Sequence, residues 1–547
     1  MAADLDNAEI ADALERYASL LDLSGSGYYT VRAYRRAAEL IRPLPTPVAD
    51  LLRQGKVQTL RGIGPGIAAV LEELVTSGEI ARARELEGEV EPELVGLGRY
   101  LGLGPQRAVE LGRAVGARTA GELREAIAAG RLASVRGVGP KTEAKLRAAL
   151  AREHEARPRR GLLLNRAREL VGTLAVQLEG HLAGDPRRWA DVSNRLAVVC
   201  ASPRPEQVLD RFATLPLIVA VIDRRPDRAI GVTVEGIPVE VVAVPPERLG
   251  TELVRATGSS EFVASLGALP AAADEESLFR ELGRPFVPPE LREAAWAPSL
   301  ATGVPPLVEL DEVRGDLHVH SDESDGKATV FEMAEAARDR GYDYLAICDH
   351  TKNVRVVPGL DGDDVRRQGE EIAAANERLA PFRVLRGIEC DILPDGSLDL
   401  PDDVLADLEW VQASVHAGQR ASADAMTKRV VEALRHPSVS CLSHPKGRII
   451  NHRPENALDL EQVFEVMIEE GVAVEVNGLP DRLDLRDAYV RAAIDAGVPI
   501  VCSTDAHSTR GLGNMQLSVA TARRGGATAA DVLNTRPLDR LPLGPRS

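Results

Sequence analysis

Six of the ten histidines, His318, His320, His350, His416, His444 and His507, each close a short apolar run in the C-terminal part of the chain. With Asp325, Glu389 and Asp505 they make nine nitrogen and oxygen ligands, enough for more than one metal ion. Adjacent divalent ions lower the pKa of a shared water and offset the charge that builds on a phosphoryl group, so the chemistry indicated is hydrolysis at a multinuclear centre. Cysteine is absent from the set, which suits Zn, Mn or Fe and leaves the choice among them open. Any one of these histidines alone would read as an ordinary core or surface residue; the group together points to metal. His154, His181, His436 and His452 fall outside the pattern and read as ordinary, with His436 and His452 kept as substrate-contact candidates. Lys446 and Arg448 in HPKGR are either phosphate-binding cations or barrel-loop surface residues.

Such ligands can act only if the fold gathers them. In DLHVHS the two histidines stand two apart, so on a strand they share a face. The runs YLAIC, FRVLRGIE, WVQASV, VSCLS, VAVEVN and VPIVCS alternate with helical patterns such as VFEMAEAARDRG, and continuous apolar runs of this kind mark parallel strands covered on both faces. Closed into a barrel, strands of this kind put all their C-terminal ends, and hence the ligands, at one mouth.

Upstream, residues 8–157 are helical in pattern and carry three similar turns, GIGPGIAAVL from Gly62, GLGPQRAVEL from Gly102 and GVGPKTEAKL from Gly137. Each G-x-G-P followed by an amphipathic helix reads as a helix-hairpin-helix, whose glycines let backbone N–H groups approach a phosphate at a helix start. The candidate DNA-binding residues are Gly62, Gly64, Gly66, Gly102, Gly104, Gly137, Gly139 and Lys141. From about residue 161 the texture becomes helix followed by LAVVCA, LIVAVID, IGVTVEG and PVEVVAV, an α/β arrangement. The Pro-containing stretch 297–311 then reads as a linker.

The net charge of −17 argues superficially against a nucleic-acid partner, but residues 1–150 hold 20 acidic and 20 basic residues, so the acidic excess lies elsewhere. No apolar run approaches the roughly 18 residues of a membrane span, and MAADLDNAEI is acidic where a signal peptide would be basic; a cytoplasmic protein is expected. The five cysteines are dispersed inside apolar runs, as buried free thiols are.

DLHVHS, CDH, GIECDI, SVH, SHPKGR and TDAH resemble the PHP (polymerase and histidinol phosphatase) family, in the version fused to bacterial family X DNA polymerases. The resemblance implies a distorted (β/α)7 barrel with three divalent ions, Mn²⁺ or Zn²⁺ with Fe as a further option. His318, His320, Glu389 and Asp505 would hold the first, Glu389 would bridge to a second on His416 and His444, and Asp325, His350 and His507 would hold the third. The polymerase likeness extends upstream: YTVRAYRRAAELI (29–41), VPPERLGTELVRATGSSEFV (244–263) and LGRPFVPPELRE (282–293) resemble that family's N-terminal domain and palm-to-thumb region. The implied organisation is multidomain α and α/β: 1–90 and 91–158 helical with helix-hairpin-helix turns, 159–296 palm and thumb, 297–311 linker, and 312–547 the PHP barrel.

Nucleotidyl transfer in that family needs three palm carboxylates. Aligned on Arg187 and Arg188, the stretch AGDPRRWADVSNRLAVVC puts Arg195 and Ala197 at two of those positions, and PVEVVAV puts Glu240 at the third. An arginine repels the ions such a site holds, so the polymerase site is expected to be degenerate. Val70 stands where the family's lyase lysine would be, with Gly66 at another usually basic position. The expected function is a metal-dependent DNA phosphoesterase in repair, a 3′-5′ exonuclease or a 3′-end and abasic-site processing enzyme, acting as a monomer on gapped DNA or free 3′ ends. The alternatives are an active family X polymerase, a DNA-binding scaffold, or a small-molecule phosphatase of the histidinol-phosphate kind.

Overall fold

The structure is a computed structural model that describes the chain apart from residues 1–4, 6, 25, 27, 42–46, 61–62, 90–102, 104, 118, 136–137, 140, 145, 147–160, 234–235, 298–299, 301–302, 355–356 and 547. The N-terminal part is helical, as the three- and four-residue spacing requires. Helices Asn7–Leu23, Tyr28–Ile41, Pro65–Ser77 and Ala81–Glu89 enclose a core that includes Ile10, Leu14, Ile41, Leu71 and Leu86. Pro65 opens its helix behind Gly64, and Gly78 closes it with φ +83°.

A mixed sheet follows. The short strands β1 (Leu162–Leu163) and β3 (Val192–Ser193) pair beside it. The sheet itself contains β2 (His181–Gly184), β4 (Leu196–Ala201), β5 (Ile218–Arg224), β6 (Arg228–Thr233) and β7 (Pro238–Val244), in the order β2-β4-β7-β6-β5. Only β4 and β7 are parallel, and their register sets Ala197 opposite Glu240. The stretch read as a linker is packed instead: Leu300, Leu307 and Val308 are buried, and the Val308 N–H donates to Ala527 O at 2.9 Å. Pro305 is half-buried and Pro306 exposed, and the apolar residues that follow them stay packed.

The C-terminal part has seven strands, β8 (Gly315–Val319), β9 (Tyr344–Ile347), β10 (Arg383–Asp391), β11 (Trp410–Ser414), β12 (Cys441–Leu442), β13 (Ala473–Asn477) and β14 (Ile500–Ser503), all parallel and in sequence order. This is a nearly closed (β/α)7 barrel, the barrel that the alternation predicts in the sevenfold form that the family resemblance implies. Capping boxes start its first two helices, Thr329 with Glu332 and Asp361 with Asp364. Leu317, Ala346, Leu385, Trp410, Cys441, Ala473 and Val501 form one buried cluster drawn from all seven strands, so they fill the lumen. Val319, Leu345 and Ile347 pack with the helix residues Met333 and Ile372 and so face outward. Between Asp316 and Val319 the β8/β9 register slips. That bulge reverses the alternation after Leu317 and turns His318 and His320 into the lumen. All five cysteines are buried and free.

The seam between β14 and β8 is closed at both ends. Toward the ligands, the His320 N–H donates to Ala506 O and the Asp505 N–H to His318 O, both at 2.9 Å. At the other end the fully buried Asn534 amide donates to Gly315 O and Cys502 O at 2.7 Å and accepts from the Cys502 N–H at 3.1 Å. Replacing it with leucine, similar in size, strands three buried backbone groups. Asn534→Leu is expected to cost about 3 kcal/mol of unfolding free energy, read as a lower denaturation midpoint; an unchanged midpoint would show that the clasp does not hold the seam.

Candidate metal centre

Above the apolar plug the lumen turns polar, and the nine predicted ligands meet there. Glu389, fully buried at the end of β10, is the common neighbour. Its Oε2 faces His350 Nδ1 at 2.9 Å, His318 Nε2 at 3.5 Å and His320 Nε2 at 3.7 Å, while Oε1 faces His444 Nε2 at 2.9 Å and His416 Nε2 at 3.4 Å. Asp505 Oδ1 lies 3.1 Å from His320 Nε2 and 4.0 Å from His318 Nε2. Asp325 Oδ1 lies 3.2 Å from His507 Nε2 and 3.6 Å from His350 Nε2. Three groups have converging ligand atoms: His318, His320 and Asp505; His350, Glu389 and His416; and His320, Asp325, His350 and His507. His350 and His320 therefore stand between groups, while His444 joins through Glu389.

The structure carries no ion, so the fit is tested on the residues. His320 Nδ1, His350 Nδ1, both ring nitrogens of His444 and Glu389 Oε2 are buried without a hydrogen bond. Leaving so many lone pairs unpaired in a dry interior is costly unless a cation fills the space between them. His444 and Asp505 also hold left-handed backbones, φ +23° and +52°, as tightly determined functional positions do. The all-nitrogen-and-oxygen set fits divalent cations.

Local electrostatics agree. Burial alone would raise the Glu389 carboxyl, but His416, His350 and His318 reverse this and hold it well below the usual carboxylate range. Burial likewise opposes a charged His318, yet Glu475, Glu389 and Asp505 push it well above an ordinary imidazole. Burial, with His507 and His350 beside it, lowers His320 to about 3, leaving a neutral ring.

Sequence reasoning missed the residues that aim the ligands. Glu475 on β13 sets Oε1 2.7 Å from His318 Nδ1 and accepts from the His444 N–H at 2.7 Å and Ser443 Oγ at 2.9 Å. Asp391, two residues after Glu389, accepts from the His416 N–H at 3.0 Å, and Ser414 Oγ lies 2.9 Å from His416 Nδ1. Asn477 Nδ2 donates to Asp505 at 2.9 Å. Polar residues inside apolar runs, the glutamate in VAVEVN above all, were the available signal. The two predicted phosphate cations are engaged elsewhere. Lys446 is buried and donates to Leu458 O at 3.2 Å; Arg448 donates to Arg482 O at 2.7 Å, Leu483 O at 2.6 Å and Asp191 at 2.7 Å. The arginine beside the centre is Arg482, 4.0 Å from Asp505 Oδ2.

Of the predicted hairpin residues, Gly62, Gly102, Gly104 and Gly137 lie outside the described residues. Gly64, Gly66 and Gly139 are exposed with open space where a Cβ would sit, and Lys141 is exposed beside them in sequence. The Gly64 and Gly139 carbonyls accept the first helical bonds, from the Ala68 and Thr142 N–H groups at 2.9 Å each.

Comparison with known proteins fits this arrangement. The helix-hairpin-helix domain family matches residues 5–80 and the PHP domain family residues 316–478. The DNA polymerase/3′-5′ exonuclease PolX of Bacillus subtilis (strain 168) is 32% identical over 560 aligned positions, covering 97% of this chain and 97% of that protein. A probable phosphatase of Acetivibrio thermocellus is 29% identical over 35% of this chain and 78% of its own length. Another from Thermoanaerobacter sp. (strain X514) is 26% identical over 40% and 89%.

Because Glu475 holds His318 through Nδ1 and leaves Nε2 toward Glu389, Glu475→Gln should weaken divalent metal binding about 10- to 100-fold. Equilibrium Mn²⁺ titration with elemental analysis checks this, with circular dichroism confirming the fold; undiminished affinity would remove Glu475 from the centre.

Proposed function

The chain belongs to the family X DNA polymerases that carry a PHP domain, and from that premise we propose that its working chemistry is phosphodiester hydrolysis at the barrel mouth, with the polymerase site inactive. The observation that carries this is the convergence of six histidines with Asp325, Glu389 and Asp505 in a buried cluster holding unpaired ligand atoms. In this reading His318, His320, Glu389 and Asp505 hold one divalent ion, Glu389, His416 and His444 a second, and Asp325, His350 and His507 a third, with Mn²⁺ or Zn²⁺ the favoured metals. Bound there, such ions supply a nucleophile near neutral pH and positive charge for the phosphoryl group.

The chain's own residues do the positioning. Glu475, Ser414 and the Asp505 carbonyl, 2.8 Å from His507 Nδ1, occupy one nitrogen of His318, His416 and His507 and leave the other for the centre. The apolar layer beneath excludes water from below. Arg482 takes the phosphate-orienting role that the sequence suggested for Lys446 and Arg448. The helix-hairpin-helix match and the polymerase relative support DNA as the substrate. The Bacillus relative's name supports a 3′-5′ direction, and exonuclease or 3′-end and abasic-site processing in repair is the resulting role. The phosphatase relatives share a far smaller part of the chain, which disfavours a small phosphate ester.

The inactive palm rests on Arg195, Ala197 and Glu240. Ala197 and Glu240 face each other across β4 and β7, Arg195 directly precedes β4, and the Glu240 carboxylate is paired with Arg228 at 3.3 Å. One carboxylate, already neutralised, cannot hold two ions.

A 5′-labelled gapped duplex incubated with the full chain and Mn²⁺ tests both halves. The expected result is shortening from the 3′ end, reduced more than about 10²-fold in His318→Ala/His320→Ala, and no extension when nucleotides are added. Intact 3′ ends would remove the hydrolytic reading. Extension abolished by Glu240→Ala would restore the polymerase.

A further inference from the structure

Where the palm's metal carboxylates are expected, the structure has a cavity of about 160 Å³ whose charged walls are Arg195, Arg228, Arg255, Glu240 and Glu252. Its volume is well below the roughly 300–1,000 Å³ of a typical small-molecule pocket. It has room for a phosphoryl group and little for the base and sugar of a nucleotide.

Both carboxylates are already taken. Glu240 pairs with Arg228 at 3.3 Å, and Glu252 with Arg248 at 3.1 Å and Arg255 at 3.6 Å. Asp185, near the start of β4, is also engaged: it accepts from Arg188 and from the Asn194 and Arg195 N–H groups, each at 2.8 Å. Arg195 is left over. Among the described residues no carboxylate comes within 4.0 Å of its guanidinium, whose only hydrogen bonds are long ones to the carbonyls of Arg255, 3.4 Å, and Gly258, 3.5 Å, while its Nε is buried with none. Of the cavity's three arginine guanidinium groups, those of Arg228 and Arg255 have carboxylates within 4.0 Å and that of Arg195 has none, with Glu240 and Asp185 acting on it only over longer distances. A half-buried guanidinium without a directly paired carboxylate is unfavourable, and an oxyanion seated between Arg195 and its neighbours supplies that partner through charge-assisted bonds.

We infer that this cavity is a metal-independent site for a backbone phosphate of a DNA strand, with Arg195 as its principal contact. The site has converted from binding cations to binding the anion directly, so the palm grips the strand that the barrel cuts. The inference rests on the reading of DNA as the substrate, though not on the hydrolytic step. The phosphodiester is favoured over a nucleoside triphosphate by the cavity's size.

The test is anisotropy of a fluorescein-labelled gapped duplex titrated with the full chain in EDTA, across a series of salt concentrations, with dATP as competitor. Arg195→Gln should weaken binding about tenfold at low salt and lower the salt slope by about one. Arg195→Lys, which keeps the charge, should recover most of the loss, and Arg366→Ala, on an exposed barrel helix, should bind as the parent does. Melting curves accompany each variant, and recovery by lysine separates a lost contact from a damaged fold. Unchanged affinity and slope in Arg195→Gln, or no recovery in a folded Arg195→Lys, overturns the inference. So does competition by dATP that depends on Arg195, which would make the cavity a nucleotide site. Cleavage plays no part in this measurement. Protein that binds through Arg195 yet cuts nothing removes the hydrolytic reading alone; protein that cuts DNA while binding independently of Arg195 removes only this one.

Discussion

The buried Glu389 carboxylate sets the terms for everything around it. Five histidine rings stand within 4 Å of its two oxygens, three on one side and two on the other. In a dry interior neither a lone carboxylate nor imidazole nitrogens without partners are stable, and Glu389 with His320, His350 and His444 is complementary to positive charge placed between them. Protons and divalent cations compete for those lone pairs. The five rings divide between Oε1 and Oε2, the arrangement on which the proposed sharing of Glu389 by two ions rests, and the neighbouring polar residues serve to keep that geometry. Glu475, Asp391 and Asn477 each hydrogen-bond at least one ligand residue, and Ser443 donates to Glu475.

Holding nine ligands in one place puts demands on the barrel. His318 sits on β8 and His320 directly follows it, and β8 must also close the seam with β14; its bulge meets both needs. It lets Leu317 fill the lumen below while His318 and His320 face the centre above, and it aligns the His318 carbonyl and the His320 N–H with Asp505 and Ala506. The seam bonds are therefore also ligand bonds, so opening the barrel there dissolves the site. Further arginines tie the barrel to the sheet region before it. Arg448 pairs with Asp191 at 2.7 Å, Arg523 with Glu290 at 2.9 Å, and Arg524 with Glu293 at 3.1 Å while it donates to Arg188 O at 2.8 Å. Their burial explains why Arg448 is not free to meet a phosphate.

The order and type of the barrel elements were legible because continuous apolar runs separated by amphipathic helices leave little besides parallel strands. The ligands were legible because each terminates such a run. Three things were not. The bulge leaves no mark in DLHVHS, where the two-residue spacing already implies a shared face and so hides the register change. The orienting carboxylates Glu475 and Asp391 look like strand residues facing solvent until the barrel closes around them. Lys446 and Arg448 look like free cations because sequence carries no information on which backbone carbonyls a loop will present to them. The proline-containing stretch 297–311 misled for a related reason: composition reports what the backbone cannot form and says nothing of what it packs against.

The two candidate sites have opposite charge logic. At the barrel mouth, Asp325, Glu389 and Asp505 with Glu475 behind them make a centre whose carboxylates draw cations. In the proposed phosphate site, Arg195 would repel cations and attract the strand directly. On the proposed function and the inference drawn from the palm, the chain would hold DNA without metal and cut it only with metal, so that binding would fall with salt through counter-ion competition and cutting would follow metal occupancy. On the same reading, Arg195 and Ala197 in place of palm carboxylates would remove one metal requirement without giving up the strand, and the step at Glu389 would be the one that depends on divalent ions.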